Sequence, residues 1–206
     1  MLQSPVRLDY QIILNWIGTG SSVLDLGCGN GALLTLLIKL KDVQAQGIEI
    51  NENAVRECVA KGLNVFQQDI DTGLSEYADK SFSYVILNQT LQQVKNPSFV
   101  LKEALRVGKK VIVSFPNFAH YSARISIFFK GKVPVTPALP YEWYNTPNLH
   151  FLSINDFKNY CKKKNITIED AAFTARNKKI MLLPNLRAEF GFFLLSNRLK
   201  NSRNIH

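Results

Sequence analysis

Apolar residues along the chain follow two alternating rhythms. Leu8, Ile12, Ile13, Trp16 and Ile17 recur at helical spacing, so the opening segment is expected to be an amphipathic helix against the core, closed by Gly18-Thr19-Gly20. The stretch 22–26 is short and apolar. It runs through Gly27-Cys28-Gly29-Asn30-Gly31 into a Leu-rich run over 32–40, which reads as strand, glycine turn, helix. The alternation continues with strands predicted over 45–50, 64–68, 82–87 and 110–115 and helices over 53–61 and 97–106. Pro97 suits the first turn of its helix, where a missing N–H is harmless. Strands alternating with helices imply right-handed βαβ units and a mostly parallel sheet covered on both faces, an α/β fold.

Beyond Pro116 the pattern changes. Pro134, Pro137, Pro140 and Pro147 are interleaved with Tyr141, Trp143 and Tyr144, so this stretch is expected to be neither regular helix nor inner strand. Periodicity returns with a helix over 155–164 and closing strands over 166–174 and 189–195. The 206 residues are expected to make one domain over 1–199, with a disordered tail over 200–206.

The glycine turn is the first sign of chemistry. Glycines directly after a strand let the backbone turn sharply and let a ligand come close, while the next helix offers free N–H groups. Ligands of open α/β sheets sit outside the carboxyl ends of the strands, and the first three predicted strand ends carry Asp25, Glu49 and Asp69. Glu49 lies about 20 residues past the glycines, where an acid can accept from both ribose hydroxyls. Asp69 can accept from an adenine amino group between apolar walls from Ile50 and Ile70. Asp25 can face a cationic amino group, because a carboxylate only accepts hydrogen bonds. The spacing G-x-G-x-G departs from the dinucleotide fingerprint G-x-G-x-x-G, which argues against NAD.

Composition narrows the setting. No apolar run approaches the roughly 18 residues needed to span a bilayer, and the N-terminus lacks a secretory pattern, so a cytoplasmic protein without membrane association is expected. Cys28, Cys58 and Cys161 form no C-x-x-C pair, and His120, His150 and His206 are dispersed, so neither disulfides nor a metal site is expected. The net charge of +9 is uneven. Residues 1–110 carry 11 Lys+Arg against 11 Asp+Glu, and 111–206 carry 14 against 5. The basic second part suits an acidic partner or ligand, or a solvated surface kept soluble by its charge.

The run Val23-Leu24-Asp25-Leu26-Gly27-Cys28-Gly29-Asn30-Gly31 resembles motif I of the class I S-adenosylmethionine (SAM) methyltransferases, and Glu49 and Asp69 match that superfamily's ribose and adenine positions. The resemblance implies a Rossmann-like, seven-stranded, mostly parallel sheet whose last strand is antiparallel. It also implies SAM or S-adenosylhomocysteine as ligand and carries over Gly27, Gly29, Glu49 and Asp69 as its contacts, and Asp25, Cys28, Gly31, Ile50, Ile70 and Asn88 are expected around the same ligand. FSYVILNQTLQQV over 82–94, LRVGKKVIVSFPNF over 105–118 and the P-V-T, L-P-Y-E-W-Y and T-P-N-L-H-F segments over 134–151 are similar to the methionine biosynthesis protein MetW family. That likeness implies an accessory role with homoserine O-acyltransferase in the acyl-homoserine branch. A free-standing SAM-dependent methyltransferase of a small metabolite is the alternative.

No base for methyl transfer stands out. After the fourth strand come Asn88, Gln89, Gln92 and Gln93, amides that bind ligands but do not take protons near neutral pH. The segment 118–152 is expected to cap the site. Gln89, Gln92, Asn117, His120, Tyr141, Trp143 and Tyr144 are its substrate-side candidates, for a small-molecule acceptor. Ser114 lies in V-S-F-P-N rather than a nucleophile elbow, so the chain is not itself an acyltransferase of the α/β-hydrolase type. Lys162-Lys163-Lys164 and Arg176-Asn177-Lys178-Lys179 would suit phosphates, yet no nucleic-acid-binding module accompanies them, so nucleic acid is not the expected partner.

Overall fold

The computed structural model describes residues 7–197, so the expected tail over 200–206 lies outside them. Helix α1 (Leu8–Trp16) is followed by β1 (Ser22–Leu26), α2 (Ala32–Lys41), β2 (Gln44–Glu49), α3 (Glu52–Ala60) and β3 (Val65–Gln67). A 3-10 turn (Ile70–Thr72) leads to β4 (Phe82–Asn88), α4 (Pro97–Val107) and β5 (Gly108–Pro116). The second part holds α5 (Tyr121–Lys130), α6 (Ile154–Lys163), β6 (Ile166–Ala175), β7 (Lys178–Lys179), α7 (Pro184–Arg187) and β8 (Phe190–Asn197).

The strands form one sheet in the order β3-β2-β1-β4-β5-β8-β6-β7. Strands β1 to β5 pair in parallel, and β8 inserts antiparallel between β5 and β6. Seven of the eight strands meet the seven-stranded expectation. The eighth, β7, adds two residues in a hairpin on β6. Its lysines keep that sheet edge charged, which discourages pairing with another chain.

Two-sided burial follows from the alternation of side chains along each inner strand. Leu24, Val85, Leu87, Val111, Val113, Phe193 and Leu195 pack into one layer with α4 and α6, centred on Val100, Leu101, Leu105, Ile154 and Phe157. Val23, Ile86, Ile112 and Leu194 pack into the other against Ile13, Leu14, Ile17, Leu33 and Leu37 of the α1 and α2 side. The order of strands reverses between β1 and β4, and this opens a crevice above their carboxyl ends.

One departure from the sequence reading lies in 118–152. Residues 121–130 form α5 ahead of the first proline of the stretch, so the exclusion of regular helix holds only beyond it. Only Ala123 of α5 is buried, while Ile125, Ile127, Phe128 and Phe129 are exposed. Its apolar residues thus give no single stripe from which a helix would be read. Lys162 and Lys163 occupy the last turn of α6, where positive charge complements the helix dipole. Among the described residues no helix is long and apolar enough to cross a membrane.

Asn117 ties the sheet to these later elements. Buried just after β5, it donates through Nδ2 to the carbonyls of Asn185 (3.1 Å) and Ala188 (2.8 Å) and accepts at Oδ1 from Ala119 N–H (3.2 Å) and Ile154 N–H (3.3 Å). Replacing it would leave several buried backbone groups unpaired. Asn117→Ala is therefore expected to lower stability by roughly 2 to 4 kcal/mol in a denaturant titration, and an unchanged midpoint would refute that role.

Candidate functional site

The site begins at the turn after β1. Gly27 has φ of 75° and Gly29 of 55°, both in the left-handed region that glycine enters without strain. A Cβ at position 27 would stand 2.7 Å from Thr90 Cγ2, whereas one at 29 would meet nothing within 4 Å. Gly27 thus lets the turn pass under Thr90, and Gly29 opens to the crevice. Gly31 faces inward, where the Leu63 and Cys58 side chains fill the space a Cβ would take.

Glu49, at the end of β2, holds this turn. Its Oε2 accepts from Gly29 N–H at 2.8 Å and its Oε1 from Asn51 N–H at 2.9 Å. Asp69 caps the 3-10 turn through Oδ1 and Asp71 N–H at 2.9 Å. Asp71 then accepts from the N–H groups of Lys95 and Asn96, both at 2.9 Å, which anchors the turn below α4. At the end of β4, Ser114 Oγ donates to Asn88 Oδ1 at 2.6 Å and accepts from Gln89 N–H at 3.1 Å. Gln89 itself is held at φ of 58°, a strained backbone for a residue with a side chain, of the kind that clusters at functional sites.

These groups enclose a crevice of about 600 Å³, within the range of small-molecule sites. Gly27, Cys28, Gly29, Glu49, Ile50, Asp69, Ile70, Asn88 and Gln89 all line it. Asp25 does not border it: it is only 2% exposed, and its Oδ1 has no hydrogen-bond partner. Burial, with a further push from the charge of Glu49, raises its carboxyl from 3.8 to about 7. Burial likewise raises the Cys28 thiol, so that cysteine is an inert wall and not a nucleophile.

The substrate-side candidates divide. Gln89 lines the crevice, but Gln92 is buried, with Nε2 donating to the Gln89 carbonyl at 2.7 Å and its own carbonyl receiving Leu149 and His150 N–H. Asn117 is the structural tie described above. His120 caps α5 by accepting at Nδ1 from Ser122 N–H at 3.4 Å, the same nitrogen lies 2.7 Å from Ser122 Oγ, and burial holds its ring below the ordinary histidine range. Tyr141, Trp143 and Tyr144 are 46%, 72% and 70% exposed, and Tyr141 and Trp143 border a separate small hollow with Phe118 and Phe151. Of the stretch 118–152, the residue that reaches the crevice is Leu149. Tyr141, Trp143 and Tyr144 therefore do not border the crevice.

The crevice also receives Arg7, Tyr10, Asp71, Thr90, Gln93 and Lys95. Asp71, two residues past Asp69, carried a local hint. Arg7 and Tyr10 had none, since α1 is brought there by packing against α2 and the sheet.

The fold is that of the class I SAM-dependent methyltransferases. A SAM-dependent methyltransferase from Mesorhizobium loti superposes with a TM-score of 0.69 at 15% identity, over 92% of this chain and 98% of that one. One from Archaeoglobus fulgidus gives 0.67 at 14% identity over 90% of each. The sequence profile of the methionine biosynthesis protein MetW family matches residues 7–195, and the chain belongs to that family. It is 37% identical over 177 residues to the bifunctional methionine biosynthesis protein MetXA/MetW of Rhodopirellula baltica, covering 82% of this chain and 28% of that protein. A ribosomal protein L11 methyltransferase of Neisseria meningitidis is 30% identical over 114 residues, 50% of this chain and 37% of its own length. The chain thus spans about a third of the length of these curated relatives.

Asp25 makes stability depend on pH. The folded protein keeps this proton up to about pH 7, and the unfolded chain releases it near 3.8. Between those values the folded state binds more protons, so the contribution is full below about pH 4 and is lost as pH rises through about 7. The stability of the natural protein relative to Asp25→Asn is expected to fall by roughly 3 to 4 kcal/mol over that window in urea titrations. A pH-independent difference would refute the buried, protonated carboxyl.

Proposed function

We propose that this chain is a SAM-binding protein of methionine biosynthesis that acts with homoserine O-acyltransferase. The observation that carries the SAM reading is the joint geometry of Gly29 and the three carboxylates. The open side of Gly29, Glu49 and Asp69 border one crevice, and Asp25, with its unpaired Oδ1, is buried at the adjoining end of β1.

The residues present suit this ligand. Glu49 is fixed by two backbone N–H groups and still has lone pairs for ribose hydroxyls. Ile50 and Ile70 offer apolar walls for adenine, with Asp69 for its amino group. Gly27, Cys28 and Gly29 supply backbone, Gly31 leaves room for Cys58 of α3 and for Leu63, and Asn88 adds a carboxamide. Asp25 provides a negative charge for the ammonium of the methionine part. Bound SAM supplies a sulfonium methyl for transfer to a nucleophile. The side chains that follow β4, Asn88, Gln89 and Gln93, orient and bind but do not accept a proton near neutral pH, and methyl transfer from SAM needs mainly the alignment of a nucleophile with the methyl.

The partner reading is supported by the Rhodopirellula baltica relative, whose name joins MetXA to MetW in one chain. Within this reading the chain adds to a cytoplasmic acyltransferase, with SAM occupancy as the signal. Mixing the two proteins with and without SAM tests it, and acyltransferase activity unchanged in every combination would sink it.

Two binding measurements test the SAM site. Glu49→Ala is expected to weaken SAM by at least about tenfold in calorimetry, since both ribose acceptors are lost; equal affinity would remove Glu49 from the site. The ammonium of the ligand favours ionised Asp25, so binding releases a proton and affinity rises as pH goes from about 6 to 8. Asp25→Asn is expected to abolish both the slope and the proton release. A natural protein with flat affinity over that range would contradict the assignment of Asp25.

A further inference from the structure

Beside the crevice lies a second, smaller pocket that the SAM reading does not use. It encloses about 180 Å³ and is bordered by Arg7, Asp9, Gln89, Thr174, Arg176 and Glu189. Arg7 and Gln89 border both cavities, so the two adjoin at the strained residue after β4.

Its lining is charged yet balanced. Two arginines and two acids border it, a set that matches a ligand carrying both signs better than a simple anion or cation. The pairing within the pocket is incomplete. Arg7 spends Nε and Nη2 on the two oxygens of Asp9, at 3.1 and 2.6 Å. Arg176 has no such partner: among the described residues its guanidinium makes no hydrogen bond, while its backbone N–H donates to Glu189 Oε2 at 2.9 Å. Arg176 and Asn177 are the two loop residues between β6 and β7, at φ of 47° and 59°, a tight hairpin turn that fixes Arg176 next to Glu189. The Glu189 N–H donates to the Thr174 carbonyl at 2.8 Å, so the carboxylate is tied to the same hairpin. A planar, unpaired guanidinium beside a held carboxylate is a receptor for a carboxylate and an ammonium on neighbouring atoms.

We infer that this pocket binds an amino-acid-sized zwitterion, its carboxylate on Arg176 and its ammonium on Glu189, next to the crevice. The inference rests on the SAM reading only for the identity of the neighbouring ligand. The site has its own residues, since neither Arg176 nor Glu189 borders the crevice.

The test is calorimetric titration of L-homoserine and L-methionine into the full chain, with and without saturating SAM, against butyrate and butylamine as single-charge probes. One of the amino acids is expected to bind at least about tenfold more tightly than either probe, to lose at least about tenfold in Arg176→Gln and to recover partly in Arg176→Lys. SAM affinity is expected to stay within about threefold in both variants. Absence of amino-acid binding, or equal binding by Arg176→Gln, would overturn the inference. Loss of SAM binding in Arg176→Gln would overturn it as well, by assigning the pocket to the methionine part of SAM. Amino-acid binding by a protein that never binds SAM would instead defeat the SAM reading and leave the pocket standing.

Discussion

The Gly29 N–H donates to Glu49 Oε2 across 2.8 Å, and that contact joins the turn after β1 to the end of β2. Much of the site is organised around it. With Gly29 so held, the turn passes over Asp25 and under Thr90, α2 starts at Gly31, and the side of Gly29 facing the crevice stays open. The same bond fixes Glu49 beside the buried carboxyl, and its charge adds to the desolvation that keeps Asp25 protonated to about pH 7. One hydrogen bond thus couples backbone geometry to electrostatics.

Around it, the parallel sheet brings side chains together from distant parts of the chain. Ends of β1, β2 and β4 open on the same side, and the 3-10 turn after β3 is stapled by Asp71 to the start of α4. Ser114 on β5 orients both Asn88 and the Gln89 amide. The end of β4 thus presents backbone and amide groups to a crevice whose other walls carry Glu49, Asp69 and Asp71.

Where chemistry was local in sequence, it was legible. Glycine spacing and a carboxylate at each early strand end come from periodicity, and the alternation of Val85, Ile86 and Leu87 between layers made the inner strands readable. Helix α5 was not, because its Phe and Ile residues point outward and give no amphipathic stripe. Tyr141, Trp143 and Tyr144 have the chemistry of a ligand cover, but their position depends on how a proline-rich segment folds back, which residue spacing does not encode. Asn117 looked like a ligand group and is an internal tie, a distinction that only its four side-chain hydrogen bonds make. Arg7 and Tyr10 reach the crevice through the docking of α1, and Arg176 reaches the pocket beside it through a hairpin. Tertiary placement of this kind leaves no local signature.

The most direct measurement is a crystal structure of the chain grown with S-adenosylhomocysteine. The account predicts the ribose hydroxyls on Glu49, the adenine between Ile50 and Ile70 with its amino group toward Asp69, and the amino group of the amino-acid part above Asp25. Density for the ligand elsewhere, or a crevice holding only water at saturating ligand, would contradict it.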